Sequence, residues 1–141
     1  MIYPIKDWLF QGDCLSVRDH EYENYPITGI ICVNENAENF WPRPGMEHLH
    51  LPMDDNGRGL TGAMLDDAVS FAARHRTGLL VRCFGCQNRS SAMCAYLLSV
   101  VDKMTDEEAS CLIHARNPRM AIWGKLTEVY HSLTGKTLKN P

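Results

Sequence analysis

Cys83 is followed six positions later by Arg89 and then by Ser90. A thiolate attacks well once its pKa is lowered, and backbone N–H groups, a guanidinium and a helix N-terminus all lower it. The same donors hold phosphate oxygens, so a cysteine set among them can attack phosphorus. The surrounding pattern supplies those parts. Leu79-Leu80-Val81 is an apolar run that predicts a short buried strand, and Ser90 to Val101 is apolar nearly all round, which predicts a central helix. The interval alone is weak, because six cysteines and nine arginines in 141 residues give roughly 0.4 chance pairs six apart. Without that context Cys83 reads as an inert buried thiol, Arg89 as a surface ion pair and Ser90 as a plain N-cap.

A leaving alkoxide or phenolate needs a proton, so the chemistry also requires a carboxylic acid facing the nucleophile. Asp54 and Asp55 stand in an acidic loop from Met53 to Leu60 that also carries Asn56, Gly57 and Gly59. Either aspartate can serve, and either can simply form the turn. His48 and His50, two apart on a predicted strand, suggest a metal site only faintly. No Cys or carboxylate lies at ligand spacing, so they read as solvent-facing polar residues.

The elements that must position these groups follow in order. Ile5 to Gly12 predicts an edge strand, Leu15 to Tyr25 a short helix ending before Pro26, and Ile27 to Val33 a strand buried on both faces. Asn34 to Gly45, rich in Asn and Pro and including Asn39, predicts a loop, and Met46 to Leu51 a strand. Thr61 caps a helix with Leu65, Ala68, Val69 and Ala72 on one face. Thr105 and Glu108 have capping-box spacing ahead of another helix, which Asn117-Pro118 stops. The last helix is predicted from Ile122 to Leu133, and the tail from Gly135 is expected to fray. The pattern describes one α/β domain over residues 1–141, a small sheet with helices on its faces. Ligands in such sheets sit beyond the carboxyl ends of the strands, where Cys83 lies.

The composition is 45% apolar and 22% charged, with a net charge of −3. That balance argues against a surface adapted to nucleic acid or an anionic membrane, so an anionic substrate must meet local positive charge. No apolar run approaches the ~20 residues that span a bilayer. Six cysteines without a charged and then apolar leader read as reduced thiols, giving the expectation of a soluble, cytoplasmic protein.

The segment from Val81 to Ser90 resembles the signature of the cysteine-dependent protein tyrosine phosphatases: cysteine, five residues, arginine, then serine or threonine. The whole chain is most similar to their compact dual-specificity branch. Ile5 to Gly12 is similar to that branch's opening strand, Leu51-Pro52-Met53-Asp54-Asp55 to its general-acid loop, and Met104 to Arg116 to its penultimate helix. The resemblance implies a small, mostly parallel central sheet flanked by helices. It implies hydrolysis of a phosphomonoester through a cysteinyl-phosphate, without metal or cofactor. Cys83 is then the nucleophile, Arg89 the bidentate phosphate ligand, and Ser90 the hydroxyl that eases departure of the sulfur. The loop of Phe84, Gly85, Cys86, Gln87, Asn88 and Arg89 would bind phosphate through its N–H groups. Asp55, three residues after Pro52, is the implied general acid, with Asp54 the runner-up. The implied partner is a phosphorylated protein, carrying phosphotyrosine and/or phosphoserine or phosphothreonine, met by a monomer.

Two positions depart from the family. Arg82 stands where histidine usually precedes the nucleophile, and it either acts electrostatically on Cys83 or forms an outward salt bridge. Cys86 stands where glycine is usual, and if that position demands φ > 0 the side chain costs about 1 kcal/mol. Cys83 and Cys86 also form a Cys-x-x-Cys pair that could close under oxidation. These departures keep open a weak pseudophosphatase that binds phosphorylated partners, and the cysteine pair alone suggests a thiol redox enzyme.

Overall fold

The computed structural model describes residues 1–36 and 41–141. Its five strands are β1 (Ile2–Pro4), β2 (Leu9–Gly12), β3 (Gly29–Cys32), β4 (Glu47–His50) and β5 (Leu79–Arg82). The helices are α1 (Cys14–Arg18), α2 (Gly62–Arg74), α3 (Arg89–Val101), α4 (Asp106–Arg116) and α5 (Leu126–Thr134), with a 3-10 turn at Glu21–Asn24. The sheet order is β1-β2-β5-β3-β4, antiparallel between β1 and β2 and parallel elsewhere.

β5 is the middle strand, and its continuous apolar run follows from burial on both faces. Leu79 and Val81 join Leu9 and Ile31 in a core built with α2, α3, α4 and α5. Leu80 faces the other way, onto Phe10, Val17, Tyr22 and Ile30. β5 thus delivers its last residue to the carboxyl edge of the sheet with little freedom to shift. α3 is buried on nearly all sides, as its composition requires.

Several boundaries differ from the sequence reading. The opening segment is a hairpin rather than one edge strand: Ile5 N donates to Leu9 O at 2.8 Å, so β1 takes the edge and β2 lies inside. The expected Leu15–Tyr25 helix breaks because His20 takes a left-handed φ of 57°. α5 starts at Leu126, since Gly124 has a φ of 72° that a helix cannot accept. The tail is docked instead of frayed. Leu138 is buried, and Asn140 both accepts from Ile122 N at 2.8 Å and donates to Ile122 O at 2.9 Å. The described residues of 34–45 form no strand or helix, and Asn39 lies outside the described residues. Among the described residues, no helix is long and apolar enough to cross a membrane.

Candidate active site

The loop after β5 is sewn to its neighbours by backbone. Cys83 N donates to Gly12 O at 3.3 Å, and Cys14 N donates to Phe84 O at 3.2 Å. Cys86 adopts a φ of 60°, a left-handed conformation that L side chains resist. Gly85, one position earlier, has no such requirement, because an added Cβ there would make only ordinary contact with Gln87. The side chain of Asn88 spans the mouth of the loop. It donates to Asp55 O at 2.8 Å and accepts from Trp123 N at 3.2 Å, joining the acidic loop to the segment after α4.

Around this loop the chain encloses a cavity of about 110 Å³ lined by Asp55, Cys83, Phe84, Gly85, Gln87, Asn88, Arg89 and Trp123. Cys83 is 2% exposed, and its sulfur is hydrogen-bonded to Ser90 Oγ at 3.1 Å. Arg89 donates from Nη1 to Met53 O at 3.1 Å, and its Nε lies 3.1 Å from Asp55 Oδ1 without the alignment of a hydrogen bond. Larger hollows, of about 510 and 430 Å³, contain no cysteine in their walls. The small one is where Cys83, Arg89 and Asp55 meet.

The two aspartates are dealt different parts. Asp54 folds back on its own loop, accepting from Asn56 N at 2.8 Å and Arg58 N at 2.9 Å and pairing with Arg58 Nε at 3.0 Å. Burial raises its pKa, but those donors outweigh burial and hold the carboxyl below the usual carboxylate range. Asp55 alone of the two lines the cavity.

Arg82 corrects one expectation. It is fully buried rather than turned outward to solvent, and its charge is felt by Cys14, Cys32 and His48 on the sheet face away from Cys83. His48 and His50 are half-buried rather than solvent-facing. Burial, the Arg82 charge and His50 push the His48 pKa down to about 4. Among the described residues no three His, Cys, Asp or Glu side chains group as metal ligands.

Cys86 does not line the cavity. Its thiol is buried behind the loop, 3.6 Å from Asn117 Nδ2, and burial pushes its pKa up. Sequence reasoning overlooked the polar residues found there. Gln11 is fully buried in β2 and bonds the first turn of α3, and Asn117, fully buried after α4, reaches the loop from behind. The signal for Gln11 was an amide interrupting the apolar residues of a strand; for Asn117 there was none beyond its place before Pro118.

No protein-family model matches the sequence, and no curated protein does. Solved structures match its shape. Human DUSP28 is 16% identical with a TM-score of 0.80, over 95% of this chain and 93% of that one. A mouse dual specificity phosphatase complexed with zinc tungstate is 20% identical at 0.77, over 95% of this chain and 89% of that one. PTPMT1 in complex with PI(5)P is 26% identical at 0.72, over 92% of this chain and 91% of that one. Such agreement across nearly the full length of both partners gives this chain the fold of the protein tyrosine phosphatases in their compact dual-specificity form.

Proposed function

We propose that the chain is a cysteine-dependent phosphomonoesterase working through a cysteinyl-phosphate, with phosphorylated proteins as its substrates. The observation that carries this reading is a single cavity walled by Cys83, Arg89 and Asp55, with Ser90 bonded to the sulfur. In the first step the Cys83 thiolate attacks phosphorus and the bond to the leaving oxygen breaks. Asp55 gives that oxygen a proton. Arg89 and the loop N–H groups stabilise charge on the equatorial oxygens, acting before the reaction begins rather than reorganising during it. In the second step water attacks phosphorus, Asp55 takes its proton, and the electron pair of the P–S bond returns to sulfur.

The cavity, of about 110 Å³, has room for a phosphate group. The substrates are taken to include phosphoserine and phosphothreonine as well as phosphotyrosine, as the resemblance to the dual-specificity branch implies. The pseudophosphatase alternative needs a phosphate site without a placed acid, and Asp55 beside Arg89 speaks against it.

The test is hydrolysis of a generic aryl phosphate, phosphopeptides and a soluble PI(5)P analogue, the last prompted by the PTPMT1 complex. Cys83→Ser is expected to abolish turnover, and equal rates would end the enzyme reading. Asp55→Asn is expected to lower kcat by about 10²–10⁴ and remove the acid-dependent limb of the pH profile. Asp54→Asn is expected to change kcat no more than about fivefold, acting only through the loop. The reverse order would make Asp54 the acid.

A further inference from the structure

Behind the loop lies a chain of hydrogen bonds whose direction can be read. Asn117 Oδ1 accepts from Arg119 N at 2.9 Å, and Asn117 Nδ2 donates to Cys86 O at 2.9 Å. A backbone N–H can only donate and a carbonyl can only accept, so these two contacts fix which way the Asn117 amide faces. Asn117 Nδ2 also meets Gln11 at 3.0 Å, so Gln11 must present its oxygen there. The Gln11 amide nitrogen therefore points the other way, donating to Ser90 Oγ at 2.8 Å and Ser91 Oγ at 2.9 Å. Ser91 passes its own proton to Gln87 O. Ser90 Oγ receives the Gln11 N–H and, while the thiol is protonated, the Cys83 S–H at 3.1 Å; once the thiol ionises, the Ser90 proton can turn to the sulfur along the same contact.

We propose that Gln11, held in one orientation by Asn117, is a positioning residue that aims the Ser90 hydroxyl proton at the Cys83 sulfur. The inference rests on the phosphatase reading above and concerns its second step. There the P–S bond breaks, the electron pair stays on sulfur, and the Ser90 O–H donates a charge-assisted hydrogen bond to the departing thiolate. An apolar residue in place of Gln11 leaves the Ser90 rotor undirected. The first step, in which sulfur gives up negative charge, depends on that bond far less. Removing Gln11 should therefore slow hydrolysis of the intermediate more than its formation.

The experiment follows a radiolabelled phosphotyrosine peptide during turnover, with acid quenching to trap covalent phosphoprotein. Gln11→Met keeps the length of the side chain and removes its polarity. It is expected to lower kcat about 10- to 100-fold while raising the trapped fraction severalfold. In a Ser90→Ala background the same substitution should add less than about twofold. Ser91→Ala, which removes the other hydroxyl that Gln11 contacts, should leave the ratio of trapping to turnover unchanged. If Gln11→Met does not fold, Asn117→Asp carries the test, because its carboxylate cannot donate to Gln11 and should give the same rise in trapping. A folded Gln11→Met protein with unchanged kcat, or with trapping and kcat falling together in both backgrounds, overturns the inference alone. A wild type that neither turns over nor traps more label than Cys83→Ser overturns the phosphatase reading and takes the inference with it.

Discussion

Two buried polar clusters flank the end of β5, one on each face of the sheet. On the Cys83 side, Gln11, Asn117, Ser90 and Ser91 close into a network in which both side-chain amides and the Ser91 hydroxyl have acceptors. On the Arg82 side, neither ring nitrogen of His48 nor Oδ1 of Asn34 has a hydrogen-bond partner among the described residues, and His48 packs edge-on against Trp41. Both clusters cost desolvation. The first converts that cost into fixed geometry, because a satisfied network has one arrangement, whereas the His48 ring, without a hydrogen-bond partner among the described residues, is placed there by packing. The contrast locates the precision of the molecule on the cavity side of the sheet and its sensitivity to conditions on the other.

The largest effect should come from disturbing the precise side. Arg89→Lys keeps the charge but loses the planar fork, and kcat/KM for an aryl phosphate is expected to fall about 10²–10³ with little change in stability. A loss below about fivefold would mean that a point charge suffices and that the geometry of this face matters less than its network suggests.

On the other face the expected response is to pH. The folded-state pKa of His48 is about 4 against an ordinary 6.5. The folded chain therefore binds fewer protons than the unfolded chain between those values, so stability is full above about pH 6.5 and declines as pH falls toward 4. The decline is at most about 3 kcal/mol. Denaturant melts at pH 7 and pH 4.5 should show it, and His48→Gln should flatten it. Equal slopes for the two proteins would place the acid sensitivity elsewhere.

The smallest effect sharpens the comparison from within the cavity loop. Cys86→Gly relieves the φ of 60° but gives up the burial of the thiol and adds chain entropy, so stability should move by no more than about 1 kcal/mol. Turnover should stay within about twofold, since the 2.9 Å bond from Asn117 to the carbonyl of residue 86 survives the loss of its longer 3.6 Å contact with the thiol. A large loss of activity would show that the thiol itself shapes the site.

What the sequence disclosed, and what it withheld, follows the same division. β5, α2, α3 and α4 were legible because apolar runs, caps and a capping box are local, and Thr105 with Glu108 closes its box as the spacing requires. Cys83, Arg89 and Ser90 could be named from their interval, and the glycine-to-cysteine departure at Cys86 pointed to its positive φ. The hairpin between β1 and β2 was missed because Lys6-Asp7-Trp8 offers a single turn former, Asp7, without the Gly, Asn or Pro partner that usually marks a turn. The outward alternative for Arg82 fails because a charged residue ending a strand normally escapes to solvent, whereas here both flanking strands and a half-buried histidine enclose it. The Gln11–Asn117 bond joins residues 106 positions apart, a pairing that no local pattern encodes.

The docked tail ties the last residues of the chain to the mouth of the cavity. Asn140 grips both backbone groups of Ile122, and the next residue, Trp123, forms part of the cavity wall and is bound through its N–H to Asn88. A ligand that tightens Asn88 and Trp123 should accordingly slow hydrogen exchange at residues 137–140. Deleting those four residues should loosen the cavity rim while leaving Cys83 and Arg89 in place. The C-terminus thus offers a remote reporter of occupancy, readable by mass spectrometry with any phosphate mimic and without turnover.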